Sequence, residues 1–421
     1  MHQDLIAGFR KLGVEIPKIV LPNPGVDLAK WAVVACDQYT SEPEYWQQVE
    51  ELVGDNPSTL RLTFPEIYLE DENPEDRIIK INKTMSRYLS DGVLEEKDEG
   101  FVYVERIANG RTRKGLILAL DLDCYDYTKG SQTLIRPTEG TVLARIPPRV
   151  KVRENAPIEL PHILMLIDDP EKKIIEPLSV KKNYLTKLYD FELMMNGGSI
   201  TGYRVNSETD LLSILTGLQH NHRLQDGFLF AAGDGNHSLA TAKTVWENTK
   251  LTLSEVEREN HPARFALVEV VNVHDDGLIF EPIHRVVFGV EPEELIREIG
   301  EVRVIVETEN NHTIRFVAGK SEGFVELREQ DQNLAVGNLQ KSLDEYINNH
   351  PEVKIDYVHG DEVVEKLGKQ PGNIGFFLPV MDKTDLFKTV IVDGALPRKT
   401  FSMGESNEKR YYLEARKIRK L

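Results

Sequence analysis

Short apolar runs, separated by turn-forming clusters and by charged stretches of helical period, set the pattern of this chain. Residues 31–36 read as a short buried strand. The Thr40-Ser41-Glu42-Pro43-Glu44 segment behind it opens a helix, with proline early and acids in the first turn. Residues 74–91 are charged with helical period and predict a second helix. Residues 101–107 and 114–121 lie on either side of Asn109-Gly110 and predict an antiparallel hairpin, with a turn of two residues or longer. A further apolar strand at 162–167 runs into the turn-forming Asp168-Asp169-Pro170. Residues 192–196 and 199–205 flank Gly197-Gly198 as a second hairpin, and 207–218 predict a helix.

Residues 265–273 and 278–287 predict a third hairpin around Asp275-Asp276-Gly277. After Pro292 the pattern shifts to one helix, short strands at 302–307, 313–318 and 323–327, and a helix at 343–349. From 353 short strands and helices alternate again, and the basic tail 409–420 is expected to close a helix. Hairpins mixed with crossovers, without regular βαβ alternation, predict an α+β fold: a mixed sheet core with hairpins and crossover helices, plus a smaller α/β subdomain. A chain of 421 residues is long for one core. The expected division is a main domain over 1–290 carrying the site, a small α/β subdomain over 291–350, and a segment over 351–421 that packs back on the main domain.

The stretch with most chemical content is 226–246. There the apolar strand 228–232 runs into Gly233-Asp234-Gly235-Asn236-His237-Ser238 and then into a helix expected to begin near Leu239, capped by Asn236 or Ser238. Free N–H groups at such a helix start face a phosphate or carboxylate, and Asp234 and His237 stand beside them for metal or proton chemistry. An ordinary strand-to-helix turn, with its polar residues serving only as caps, explains the same residues.

Charge and composition narrow the classes. A net charge of −18 argues against bulk binding to nucleic acid or to an anionic membrane, while leaving room for a local basic pocket. No apolar run reaches membrane-spanning length and the start of the chain lacks a signal-peptide pattern, so a cytoplasmic protein is expected, acting on a small-molecule substrate. Cys36 and Cys124 form neither a CxxC pair nor a thiol-rich metal spacing and read as free thiols. No strand-linked GxGxxG motif is present, which disfavours a dinucleotide-dependent oxidoreductase.

Four polar segments recur along the chain: 36–42, the Ile135-Arg136-Pro137-Thr138-Glu139-Gly140-Thr141 segment, the Asp234 to Ser238 turn, and Glu281-Pro282-Ile283-His284-Arg285. With the late Pro397-Arg398-Lys399-Thr400, their order resembles the prokaryotic domain-of-unknown-function family 1015 across nearly the whole chain. The family's Asp-Gly-His-His-Arg turn is similar to that of free-serine kinases of the ParB and sulfiredoxin-like fold. The resemblance therefore implies ATP-dependent phosphorylation of a small hydroxyl-bearing metabolite such as free serine. Asp234, Gly235 and His237 match the turn, whereas Asn236 replaces its first histidine and Ser238 its arginine. Arg136, Pro137, Glu139 and Thr141 match the second motif, with Thr138 in place of its histidine, and Pro282, His284 and Arg285 match the fourth.

Phosphoryl transfer needs cationic donors around phosphate oxygens, a metal held by oxygen ligands, and a group that orients the attacking hydroxyl. Arg136 and Arg285 are the candidate phosphate cations. Asp234 is the candidate Mg²⁺ ligand or hydroxyl-orienting base, with Glu139 its competitor, and His237 the candidate acid or base. Thr141, Gly235, Asn236, Ser238, His284 and Lys399 complete the expected ATP site; a surface role explains Lys399 equally well. The alternative is a non-catalytic protein of the same fold that binds a nucleotide or metabolite, and the departures at Asn236 and Ser238 favour it.

Overall fold

The computed structural model describes residues 2–69, 74–225, 227–303, 312–328, 330 and 334–419. The chain is α+β and forms two compact units. One comprises 1–137, 141–278 and 405–421; the other comprises 138–140 and 279–404.

The first unit is built on a nine-stranded mixed sheet. Its strands run in the order Ile135–Pro137, Phe230–Asp234, Leu164–Ile167, Phe265–Asn272, Arg111–Asp121, Phe101–Ala108, Ser199–Val205 and Thr186–Glu192, and the short Val14–Glu15 strand pairs with Arg111–Asp121. Two pairings are parallel, Phe230–Asp234 with Ile135–Pro137 and Phe265–Asn272 with Leu164–Ile167. The Asn109-Gly110 turn closes its hairpin in two residues, with Ala108 opposite Arg111. Both turn residues have positive φ, 50° and 74°, as the twist of a tight hairpin requires.

Strand alternation divides the sheet's side chains between two cores. Phe101, Tyr103, Leu116, Leu118 and Leu120 face one side, where Leu5, Phe9, Leu211, Ile214, Leu239 and Trp246 from three helices cover them. Val102, Val104 and Ile117 face the other, beneath Trp46 and Val49 of helix Pro43–Val53, Met85 and Tyr88 of helix Pro74–Ser90, and the C-terminal Tyr411, Tyr412 and Leu413. Helices thus bury both faces of the sheet, the layered solution that amphipathic elements demand.

The second face also contains charge. Glu269, 2% exposed, lies in the middle of strand Phe265–Asn272, and a Cβ at Gly115 would meet its Oε1 at 2.5 Å; glycine is what leaves room for this carboxylate. Arg410 binds Glu269, and its second Nη reaches Glu414 at 2.6 Å. Arg113 stands 3.5 Å from the other Glu269 oxygen. Glu159 is treated alike: Arg416 donates to it at 2.8 Å, Arg153 at 2.5 Å and the Leu267 N–H at 2.9 Å.

The second unit has a six-stranded, wholly antiparallel sheet in the order Gly300–Arg303, Ser321–Leu327, Thr313–Ala318, Asn373–Phe377, His284–Phe288, Lys354–Val358. Val286, Val317, Val358, Val364 and Phe377 form a core on it.

Several expectations are corrected. Residues 31–36 are not a strand: Trp31 ends a short helix, Leu28–Trp31, and the Ser58 and Thr59 hydroxyls take its carbonyl, leaving one bridge from Val34 to Tyr411. The third hairpin does not form, because 265–272 joins the first unit's sheet while Phe280–Pro282 and His284–Phe288 pair within the second. Residues 354–377, expected with the C-terminal segment, supply two strands to the second unit's sheet. The tail 409–419 is not helical; its arginines extend to buried acids distant in sequence. Of the strand expected at 302–307, residues 304–307 lie outside the described residues.

Removing Arg410 strands two buried carboxylates, so Arg410→Ala is expected to cost about 3–5 kcal/mol, read as a lower urea midpoint. Burial works against ionisation of Glu159 and Glu269, yet their arginines outweigh it and hold both pKa values below the usual 4.5. Depressed carboxylate pKa values contribute stability that is present above the unfolded value and lost as pH falls through the folded one. The unfolding temperature should accordingly fall below about pH 4.5. A variant within 1 kcal/mol of the parent, by the same measure, would show that the tail is held by its apolar contacts instead.

Candidate functional site

Strand Phe230–Asp234 leads through Gly235 into helix Asn236–Lys250. Gly235 has φ +77°, and a Cβ there would meet the Ile163 Cα at 3.0 Å, so both conformation and space call for glycine. Gly235, not Asn236 or Ser238, is the cap, and it provides no side-chain acceptor. The helix begins three residues earlier than its apolar pattern suggests, because the left-handed glycine turns the chain directly into it. The N–H groups of Asn236, His237 and Ser238 therefore lack partners within the helix. The buried Asn236 Oδ1 accepts no hydrogen bond.

Asp234 Oδ1 accepts the Gly235 N–H at 2.9 Å, and its Oδ2 stands 3.3 Å from Lys409 Nζ. His237 Nε2 accepts the Val142 N–H at 3.3 Å, which places Thr141 next to the turn. Burial depresses the His237 pKa to about 4, with further lowering by the cations Arg149 and Arg145 and a smaller opposing pull from Asp37. At neutral pH His237 is an uncharged imidazole in a cationic environment.

Below the turn, Ser238 Oγ lies 3.3 Å from His162 Nε2, which also faces Asp37 Oδ2 at 3.8 Å. His162 Nδ1 is 2.7 Å from the Tyr412 hydroxyl, itself an acceptor for the Cys36 N–H at 3.2 Å. Burial opposes ionisation of Asp37, but His162, the Gln38 amide and Lys409 together keep its pKa below the usual value. An ionised Asp37 favours a proton on Nε2, the ring nitrogen it faces. Burial, followed by the Asp37 charge, pushes the Cys36 thiol up to about 12, so it is no nucleophile at neutral pH.

Asp234, Gly235, Asn236, His237 and Ser238 are thus contiguous, with Thr141 beside them. Arg136 is elsewhere in the same unit: it is 4% exposed, its Nε donates to the Thr133 carbonyl at 2.8 Å, and its guanidinium covers the Phe228 ring at 4.6 Å. It serves the beginning of the motif strand, not its end. Glu139, His284, Arg285 and Lys399 belong to the second unit. Arg285 is fully buried, with Nε bound to Gln340 at 2.9 Å and its Nη groups bound to the carbonyls of Ile283, Arg398 and Lys399. That arrangement shapes the 397–400 loop and leaves the guanidinium no face for phosphate. His284 accepts the Leu378 N–H at 3.0 Å and meets Asp361 at 2.9 Å, a structural use of both ring nitrogens. Glu139 bridges to Leu396, and Lys399 is exposed with φ 55°.

Lys409, Arg149, Arg145, Asp37 and His162 were not singled out for this site from sequence. Arg145 and Arg149 do belong to a visible basic run, 145–153, directly behind the second motif. Lys409 is 175 positions from Asp234, and no local pattern marks it.

A divalent cation fits this arrangement poorly. Mg²⁺ asks for carboxylate and phosphate oxygens, whereas Asp234 already has the Lys409 ammonium against it. Among the described residues, the group with metal-ligand spacing is Glu294, Glu298 and His350, in the second unit and mostly exposed.

The model of a family described as protein of unknown function (DUF1015) matches residues 20–346. No curated protein matches the chain by sequence. Among solved structures, a free serine kinase in complex with AMP is similar with a TM-score of 0.38 and 13% identity, over 72% of this chain and 92% of that one. A conserved hypothetical protein from Pyrococcus furiosus gives 0.34 and 13%, over 70% and 90%. SbnI with a C-terminal truncation from Staphylococcus aureus gives 0.35 and 12%, over 68% and 83%.

If Arg149 helps to hold His237 neutral, Arg149→Leu should raise its pKa from about 4 toward 6.5, read from imidazole NMR shifts. Sulfate keeps its charge over this range, so it should raise the same pKa and bind more tightly as pH falls. An unmoved His237 titration in both experiments would place the anion elsewhere.

Proposed function

The chain belongs to the DUF1015 family, and we propose that its first unit binds the phosphate groups of a nucleotide at the start of helix Asn236–Lys250 and transfers phosphoryl to a small hydroxyl-bearing metabolite. The observation that carries this reading is the uncapped helix start with Lys409 held across its mouth by Asp234. Helix N–H groups aligned with the helix dipole favour an anion, and a lysine supplies the compact charge that phosphate oxygens accept.

On this reading Lys409 leaves Asp234 for the phosphate, and the released carboxylate orients the acceptor hydroxyl. Arg145 adds positive charge for phosphate binding, Arg149 being paired with Glu66, while His237 donates a neutral hydrogen bond from Nδ1. ATP is the expected donor. No step is routed through Mg²⁺.

A second reading, nucleotide or metabolite binding without turnover, is favoured by one feature: both Asp234 oxygens are already engaged, by the Gly235 N–H and by Lys409. The two readings separate experimentally. Lys409→Met is expected to weaken inorganic phosphate and ADP roughly tenfold to hundredfold by calorimetry, the value of a charged hydrogen bond. Asp234→Asn should retain ADP affinity and lose product formation from ATP with pooled small alcohols and hydroxy amino acids. Parent protein that binds ADP but forms no phosphorylated product supports the second reading; binding indifferent to Lys409→Met overturns both.

A further inference from the structure

Beneath the helix start, within the first unit, is a cavity of about 150 Å³. Leu62, Phe64, Met85, Val152 and Ile158 contribute apolar wall, while the His162 and Ser238 pair lines its polar side. Charged groups also border it, and their carboxylates are already paired: Arg149 binds Glu66, and Glu159 holds both Arg153, at 2.5 Å, and Arg416. Neither of these carboxylates is left over for the ammonium of a free amino acid. An apolar cavity of about this volume holds a benzene ring.

We propose that this cavity is the acceptor subsite and takes an uncharged alcohol with a compact apolar body, its hydroxyl against Ser238. The proposal rests on the phosphotransfer reading above for the word acceptor, but the binding itself does not. Ser238 connects the two places: its backbone N–H belongs to the uncapped first turn, and its Oγ lines the cavity. With Nε2–H of His162 donating to Oγ, the serine O–H is directed to an oxygen that arrives in the cavity. A ring-sized body seated there displaces water beside that hydroxyl, and Asp37 faces the imidazole that holds the serine.

The probes are benzyl alcohol, toluene and free serine, titrated against the full chain with the Met85 methyl signal as readout. Benzyl alcohol should shift that signal with at least tenfold greater affinity than serine, and toluene should bind more weakly than benzyl alcohol by a margin that Ser238→Ala removes. Val152→Trp should fill the cavity and abolish both ring probes while phosphate affinity stays within twofold of the parent. Phosphate bound with no benzyl alcohol shift overturns the subsite and leaves the anion reading standing. Benzyl alcohol bound without phosphate keeps the cavity and removes its role as acceptor site. Should Val152→Trp fail to fold, Leu62→Phe is the second filling variant, which keeps the Met85 reporter, and retention of benzyl alcohol in it sinks the proposal.

Discussion

Two carboxylates that the sheet cannot leave unpaired govern the first unit. Glu269 and Glu159 are each 2% exposed in side-chain terms, on or beside the face that the C-terminal tail covers. A carboxylate taken out of water without a partner is among the most costly things a fold can contain. Arg410 and Arg416 answer that demand from the last residues of the chain, so the tail must lie extended where the acids are. Arg106, anchored to the carbonyls of Gly197, Asn407 and Lys409, ties the same segment from strand Phe101–Ala108. Replacing these ion pairs with apolar groups of similar size would preserve packing, but it would remove what fixes the tail's register. That register matters because residue 409 is the lysine at Asp234.

The site inherits its electrostatics from this arrangement. Lys409 is placed by its neighbour Arg410, and it supports both Asp234, which it faces directly, and Asp37, whose ionised form it favours. Two acids and one lysine around a helix start leave the lysine able to exchange partners when a phosphate arrives. His237 contributes no charge of its own, because burial and then the nearby Arg149 and Arg145 disfavour a protonated ring there. The replacement of a family arginine by Ser238 is consistent with this economy, since positive charge reaches the turn from helix Ile146–Arg153 and from the tail instead.

What could be read from the sequence was local. The helix Pro43–Val53 follows its proline and early acids, Pro74–Ser90 its period, and the Asn109-Gly110 hairpin its two positive-φ residues. The turn from 233 to 238 was legible for the same reason: glycine, polar residues and a helix stand in sequence order. Arg136 and Arg285 were misleading because an arginine beside proline and acid looks like a ligand group in one dimension. In three dimensions one stacks on Phe228, and the other is consumed by Gln340 and three carbonyls. The tail was read as the close of a helix because it is basic, and cations suit a helix C-terminus. Its arginines instead reach partners 140 to 260 positions away.

The geometry of His162 decides a last question of mechanism. A serine beside a histidine and an aspartate invites comparison with a nucleophile activated by a charge-stabilised base. In that arrangement, however, the acid binds one ring nitrogen and the serine the other. Here Asp37 and Ser238 share Nε2, and Nδ1 belongs to Tyr412. With the proton on Nε2, the imidazole donates to Ser238 and cannot take its proton. Deprotonation of Ser238 for attack on an acyl or phosphoryl group would require the proton to leave Nε2 against an ionised Asp37 that favours it there. The serine is therefore held as a hydrogen-bonding group, not prepared as a nucleophile, and any transfer chemistry at this turn has to use a hydroxyl brought by the ligand.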